Sequence, residues 1–296
     1  MKDSTIITAT ETYHARLRRV LQHIEAHLDE DLTVEGLSDI AAFSKFHFHR
    51  QFSAVFNIGV AKYIQLSRLK RAAYQLAFHD LAVIDIALAS GYDSPEAFTR
   101  AFKKLFGQNP TEFRKQPTVG WEAAFTILSE IRSSHMKQDD DGRQVTVVDF
   151  KPTRVAVMEH RGDPALLGES IRKFIDWRKQ MNLPPSTNAT FNILYVDPLT
   201  TPPEDYRIDI CVATDKAIVP NEAGIIEKII PGGPCAKMRH VGSNDGLRDS
   251  ISFLYRDWLP ESGREPRDFP LYCQRISFFP AVAEHEAITD IFLPLK

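Results

Sequence analysis

Cysteine is scarce in this chain: Cys211, Cys235 and Cys273 are the three in 296 residues. Widely spaced and odd in number, they exclude a disulfide framework, fit no zinc pattern and suit a reducing cytoplasm, the expected location. No apolar run approaches the ~18 residues that a membrane-spanning helix needs. The opening Met1-Lys2-Asp3-Ser4 has no apolar stretch, so neither a signal peptide nor a membrane partner is expected. There is no His-Glu-x-x-His run, and His47 and His49, two apart on an expected helix, point in different directions. No metal site and no cofactor are therefore expected. Net charge is small as well, −3, which taken alone argues against a polyanionic partner. What is present is ordinary for a globular protein: 43% hydrophobic and 25% charged residues, in a length that suits two domains of about 100–200 residues each.

The charge is unevenly spread. Residues 1–40 carry 4 basic and 8 acidic side chains, residues 41–115 carry 11 and 5, and residues 116–296 carry 21 and 26. The near-neutral total therefore hides a block of +6. A charge run is usually a solvated face, so this block needs a geometric reason before it implies nucleic acid.

Up to about residue 117 the apolar spacing is helical. Leu17, Val20, Leu21, Ile24 and Leu28 form one stripe. Thr33 is a capping candidate for a short helix ending near Ala41. A second helix starts from Ser44, a long one spans Val60 to Phe78, and another pair begins near Ala82. Trp121 to Ile131 reads as one more amphipathic helix, and Ser133 to Arg143 as a linker. From Gln144 the texture changes to alternating strands, Val145–Phe150, Arg154–Met158 and Thr289–Leu293, mixed with helices such as Leu166–Met181. The expected architecture is multidomain: an all-α unit over 1–117, a helix and linker over 118–143, and an α+β unit over 144–296.

Two helix-pair units repeat at an offset of 50 residues. Phe48, Phe52, Phe56 and Tyr63 recur as Phe98, Phe102, Phe106 and Phe113, and Arg50 recurs as Arg100. A small-aromatic step, Ala42-Phe43-Ser44 or Gly91-Tyr92-Asp93-Ser94, precedes each second helix, as the tight turn of a helix-turn-helix requires. At 100° per residue, Phe48, Phe52 and Val55 share the core sector, with Phe46, His49, Arg50 and Ser53 opposite. In the second unit Phe98, Phe102 and Leu105 face inward, and Glu96, Thr99, Arg100 and Lys103 face outward. These outward residues, with Lys45, can hydrogen-bond base edges or phosphate. The competing reading is the solvated face of a bundle, which leaves the exposed Phe46 unexplained. The connecting helix of about 19 residues spans ~28 Å, close to the ~34 Å of one turn of B-DNA. Lys62, Arg68, Lys70 and Arg71 on it are the expected phosphate contacts.

Residues from about 10 to 116 resemble the DNA-binding domain of the AraC/XylS family of transcription regulators. The resemblance rests on Gly91-Tyr92-Asp93-Ser94-Pro95-Glu96-Ala97-Phe98-Thr99-Arg100-Ala101-Phe102-Lys103 with Phe106-Gly107 and Pro110, and on Phe43-Ser44-Lys45-Phe46-His47-Phe48-His49-Arg50. It implies a seven-helix twin helix-turn-helix unit that reads double-stranded DNA through the major groove. Ala42 stands where the family has Gly, which implies a slightly different backbone at that turn.

A weaker repeat at an offset of 80 runs through the second half: Ala156, His160, Gly162, Leu167 and Ile171 recur as Ala236, His240, Gly242, Leu247 and Ile251. Two such strand-helix units can pack with pseudo-two-fold symmetry and leave a cleft for a ligand. This half resembles the GyrI-like small-molecule-binding domain, through Tyr195-Val196-Asp197-Pro198, Thr201-Pro202-Pro203-Glu204, Arg207-Ile208-Asp209, Trp258-Leu259-Pro260-Glu261-Ser262-Gly263 and Thr289-Asp290-Ile291-Phe292-Leu293-Pro294. The resemblance implies an aromatic-lined pocket with a buried carboxylate for lipophilic, often cationic, compounds. Strand alternation places Asp290 and Phe292 on one face. There an acid beside an aromatic suits a cation, unless Asp290 merely ends a surface strand with its carboxylate in water. Tyr195, Trp177, Tyr255 and Tyr272 are further candidate wall residues, with a core role as the alternative.

Some GyrI-like proteins are implied to be hydrolases that use a glutamate. In Pro270-Leu271-Tyr272-Cys273 a cysteine takes that place, with no adjacent base visible, so no catalytic residue is expected and the chain is not read as an enzyme. The expectation is a ligand-responsive transcription regulator whose partners are DNA, a small effector and, as a further candidate, RNA polymerase. A hydrolytic or gyrase-type protein-binding role for the second half are the alternatives.

Overall fold

The computed structural model describes residues 2–135 and 143–296, with side chains of 13–134 in the first stretch. Residues 136–142 of the expected linker lie outside the described residues. The chain divides into two units, Met1–Gln138 with Val282–His285, and Asp139–Ala281 with Glu286–Lys296.

The first unit is helical: α1 Lys2–Ala26, α2 Val34–Ile40, α3 Lys45–Phe56, α4 Val60–Phe78, α5 Val83–Ala89, α6 Pro95–Phe106, α7 Pro110–Lys115 and α8 Thr126–His135. Local chemistry sets most of these ends. Thr33 caps α2 by accepting from the Gly36 N–H at 3.1 Å, and Ser94 caps α6 by accepting from the Ala97 N–H at 3.2 Å. Asn109 and Glu112 form a capping box on α7, with Pro110 in its first turn. Helices α3 and α6 end on Asn57 and Gly107, both left-handed and 50 residues apart. The expected helix at Trp121–Ile131 is split into a 3₁₀ turn, Trp121–Phe125, that leads into α8.

The 50-residue repeat is written into the core. Phe48, Phe52, Tyr63, Phe98, Phe102 and Phe113 are fully buried. Phe52 meets Tyr63 edge-on at 5.9 Å, and Phe102 meets Phe113 edge-on at 5.1 Å, the same pair one repeat later. Helix α4 is buried on most sides, with Ser67, Ala72 and Ala73 allowing neighbours close.

The second unit is one antiparallel eight-stranded sheet: β1 Val145–Phe150, β2 Thr153–Arg161, β3 Thr190–Leu194, β4 Arg207–Ala213, β5 Ile226–Ile230, β6 Gly233–Val241, β7 Leu271–Ser277 and β8 Ile288–Pro294. Its order, β1-β6-β8-β7-β3-β4-β2-β5, maps onto itself about the central β7/β3 pair when the two copies exchange. Helices α9 Leu167–Gln180 and α10 Leu247–Phe253 pack on one face over two separate apolar clusters. On the opposite face Tyr272 and Phe292 stack at 5.2 Å, and Phe150 closes over both.

The 80-residue repeat marks a corner. His160 bonds Ser170 Oγ at 2.9 Å and the Asp163 carbonyl at 3.2 Å; His240 bonds Ser250 Oγ at 2.9 Å and the Ser243 carbonyl at 2.9 Å. Each histidine thus ties a strand end to the helix that follows, across Gly162 or Gly242 at positive φ. The copies differ where α10 widens into a π turn, Leu254–Trp258, before α11 Leu259–Ser262. Pro260 has no N–H to offer the carbonyl four residues back, so the α-helical ladder cannot continue there unchanged.

Candidate DNA interface and ligand cleft

Helices α3 and α6 present matching outward faces. Lys45, Phe46, His49, Arg50, Glu96, Arg100 and Lys103 are exposed, and Ser53 and Thr99 are half-buried. Phe46 is 86% exposed, which no packing role within its unit accounts for. Lys45 lies 4.0 Å from Glu35, whereas no ion pair within the described residues engages Arg50, Arg100 or Lys103. Two guanidinium groups, one repeat apart, therefore stand in solvent. Glu96 sits in the first turn of α6, where an acid complements the helix dipole.

The connecting helix departs from expectation. Arg68 donates from Nε to the Leu28 carbonyl at 2.8 Å and from Nη2 to the Glu30 carbonyl at 2.6 Å. Arg71 donates to the Ala89 carbonyl and faces Asp29, and Lys70 is buried against Glu284. Of the four expected phosphate contacts, Lys62 alone is solvent-facing, bonded to the neighbouring Gln65 at 3.0 Å. Three cations of the basic block thus satisfy backbone carbonyls and carboxylates inside the helical unit. Arg114, on the Leu81 carbonyl, is a fourth. The turn before α6 depends on one of these clamps: a Cβ on Gly91 (φ +71°) would overlap the Arg68 guanidinium.

Ala42 corrects a second expectation. Its φ is 51°, so the first turn takes the left-handed conformation of Gly91, with an alanine bearing the steric cost.

The six expected ligand-wall residues do not share a face. Asp290, Tyr195, Tyr272 and Phe292 lie on the face without helices, whereas Trp177 is on α9 and Tyr255 is on the π turn that follows α10. Asp290 neither ends in water nor waits for a cation. It is 2% exposed, takes two bonds from Arg239 (2.7 and 3.0 Å) and lies 2.9 Å from Lys237. Burial pushes its pKa up, but the Arg239 and Lys237 contacts outweigh this and hold the carboxyl below the usual range. Tyr272 is fully buried, in contact with Cys235 Sγ at 3.4 Å.

Asp209 is the carboxylate that the sequence reading passed over. Wholly buried, it accepts from Tyr195 Oη at 2.9 Å and from Lys228 Nζ at 2.6 Å, while the Arg207 guanidinium lies 3.8 Å over the Tyr195 ring. Its place 81 residues before Asp290, inside an 80-residue repeat, is the signal that could have found it.

On the helix-bearing side the central strands supply Leu194 from β3 and Leu271 and Cys273 from β7, all within the apolar cluster that packs with α10. Arg275 reaches Asn192 at 3.0 Å and Asn244 at 2.6 Å. Burial raises the Cys273 thiol to about 12, so it is not a ready nucleophile at neutral pH. Among the described residues, no group of three His, Cys, Asp or Glu could hold a metal ion, and no helix is long and apolar enough to cross a membrane.

Comparison with known proteins follows the division into units. Residues 143–296 match the family model of the GyrI-like small molecule binding domain, and residues 37–116 match that of a helix-turn-helix domain. The chain is 37% identical over 152 residues to the "Probable transcriptional regulator YgiV" of Escherichia coli K12, covering 51% of this chain and 95% of YgiV. It is also 37% identical over 116 residues to the "Right origin-binding protein" of the same organism, covering 39% of each. The crystal structure of the EcmrR C-terminal domain aligns at 17% identity with a TM-score of 0.43, over 52% of this chain and 98% of that one.

Proposed function

The chain belongs to the GyrI-like small molecule binding domain family through its second unit, the first carrying an AraC-type helix-turn-helix, and from that membership as a DNA-binding transcriptional regulator we propose how it reads its site and what it senses. Helices α3 and α6 enter successive stretches of the major groove on one side of the duplex. Arg50 and Arg100 reach guanine edges, His49 and Thr99 add hydrogen bonds, and Phe46 touches a thymine methyl. Lys45, Ser53 and Lys103 contact phosphate, and Glu96 steadies the start of α6. One observation carries this reading: the two arginines occupy the same place in each repeat and stay in solvent, while their neighbours on α4 are consumed internally. Arg50→Ala and Arg100→Ala should each weaken binding to a cognate duplex, by about 1–3 kcal/mol, in a gel-shift titration. Unchanged affinity in both variants would contradict it.

The effector is a small lipophilic compound held on the helix-bearing side of the sheet, in the strip between α9 and α10. Half-buried Leu194 offers it apolar surface, and Tyr255, at 44% exposure, offers an aromatic edge. A cation on the opposite face would have to displace Arg239 and Lys237 from Asp290, which disfavours that half of the expectation. Quenching of Trp177 and Trp258 fluorescence by a panel of neutral and cationic lipophiles tests this. Quenching by cationic compounds alone, abolished by Asp290→Asn, would contradict it. The transcription machinery as a further partner, and the cytoplasm as the location, follow from the regulator reading.

A further inference from the structure

Within the helical unit lies a buried set of charges with an unusual origin. Arg132 on α8 donates from Nε to Glu25 on α1 at 2.7 Å, and Tyr63 on α4 donates to the same carboxylate at 3.0 Å. Arg132 also pairs with Glu284, which Lys70 on α4 meets at 2.7 Å, and His285 Nδ1 lies 3.2 Å from Glu25. The side chains of Glu25, Arg132, Lys70 and Glu284 are all 10% exposed or less. Two cations thus balance two carboxylates in the low-dielectric interior.

One of those carboxylates comes from 214 residues away. Glu284 belongs to Val282–His285, which among the described residues beyond 138 is the one segment that groups with the helices. This segment is continuous with β7, which ends at Ser277, and with β8, which begins at Ile288. Withdrawing Glu284 would leave Lys70 and Arg132 buried with one carboxylate between them, a strongly unfavourable state. Lys70 and Tyr63 both sit on α4, the helix that joins one recognition pair to the other.

We propose that Val282–His285 is a coupling strap: seating of Glu284 beside Lys70 and Arg132 fixes α4, and so links the spacing of the two recognition helices to the positions of β7 and β8. This rests on the regulator reading above. An effector that displaces either strand pulls on the strap through the chain itself, unseats Glu284 and loosens α4. By thermodynamic reciprocity, DNA that fixes α4 must in turn steady the strands.

Reciprocity allows a test without the effector. A duplex recovered from a random pool is added to the full chain, and hydrogen exchange is followed at α3 and α6 and at 271–277 and 288–294. In the wild-type chain the duplex should slow exchange both in the recognition helices and, at least threefold, in the two strands. In Glu284→Gln the recognition helices should still respond and the strands should not. Should that variant fail to fold, Lys70→Met/Glu284→Gln removes the pair in neutral form and carries the same expectation. Strands that ignore the duplex in the wild-type chain, or that respond equally in the variants, would overturn the strap. If no duplex is recovered, the regulator reading falls and the strap falls with it.

Discussion

At Ala42 an ordinary residue occupies a left-handed position (φ 51°) whose counterpart in the second repeat is Gly91. The left-handed conformation costs an L-residue roughly 1–2 kcal/mol, part of which glycine returns as greater freedom in the unfolded chain. Ala42→Gly should therefore raise stability by about 0.5–1 kcal/mol in a denaturant titration, while Gly91→Ala should lower it, since its Cβ would also overlap Arg68. Arginines that look alike in the sequence should separate in the same way. Arg68→Ala should lower the unfolding midpoint through the lost carbonyl bonds while leaving the salt dependence of DNA binding unchanged, because Arg68 faces Leu28 and Glu30. Glu25 supplies a pH test. Burial raises its pKa, but Arg132 and His285 outweigh that and hold it at about 2, against an unfolded value of about 4.3. A depressed carboxyl contributes stability that is present above the unfolded value and lost as pH falls through the folded one. That window runs from about 4.3 down to about 2. Glu25→Gln should unfold more readily at pH 7 and show a flatter loss of stability in acid. An equally steep acid limb in the variant would contradict this.

Elements were legible where their determinants are local. The bounds of α4, the cap at Thr33 and the phenylalanine repeat all follow from residues within a turn or two of one another, and the structure has them where spacing places them. What escaped depends on distance. Whether Arg68 meets a phosphate or a carbonyl is decided by a loop 40 residues earlier, and Lys70 is claimed by a carboxylate 214 residues later. The expected ligand-wall residues are divided between two faces for a related reason. Strand alternation pairs Asp290 with Phe292 on one face, but the sequence does not show which face carries the helices, nor that Lys237 and Arg239 on the adjacent strand aim at the acid. Equivalent positions can also be unequal: Ser94 caps α6 through its side chain, whereas Ser44 makes no such bond on α3. Ser94→Ala should cost about 1 kcal/mol and Ser44→Ala a few tenths, read as shifts in the thermal midpoint.

For the whole molecule, a net charge of −3 conceals three uses of charge. Some cations clamp backbone, some close buried ion networks around Asp209, Asp290 and Glu25, and a smaller set on α3 and α6 remains in solvent. That set, with Lys62 on α4, is what faces solvent among the cations named here, so the basic block overstates the phosphate contacts it can make. The central claim is that one chain places two equivalent recognition helices on one side of a duplex. Selecting bound DNA from a random pool with the full chain tests it directly. The recovered sequences should contain two short conserved elements with centres about 10–10.5 base pairs apart, and Arg50→Ala and Arg100→Ala should each relax the preference in a different element. Recovery of a single element that one recognition helix accounts for, with the other arginine replaceable at no cost, would contradict the account.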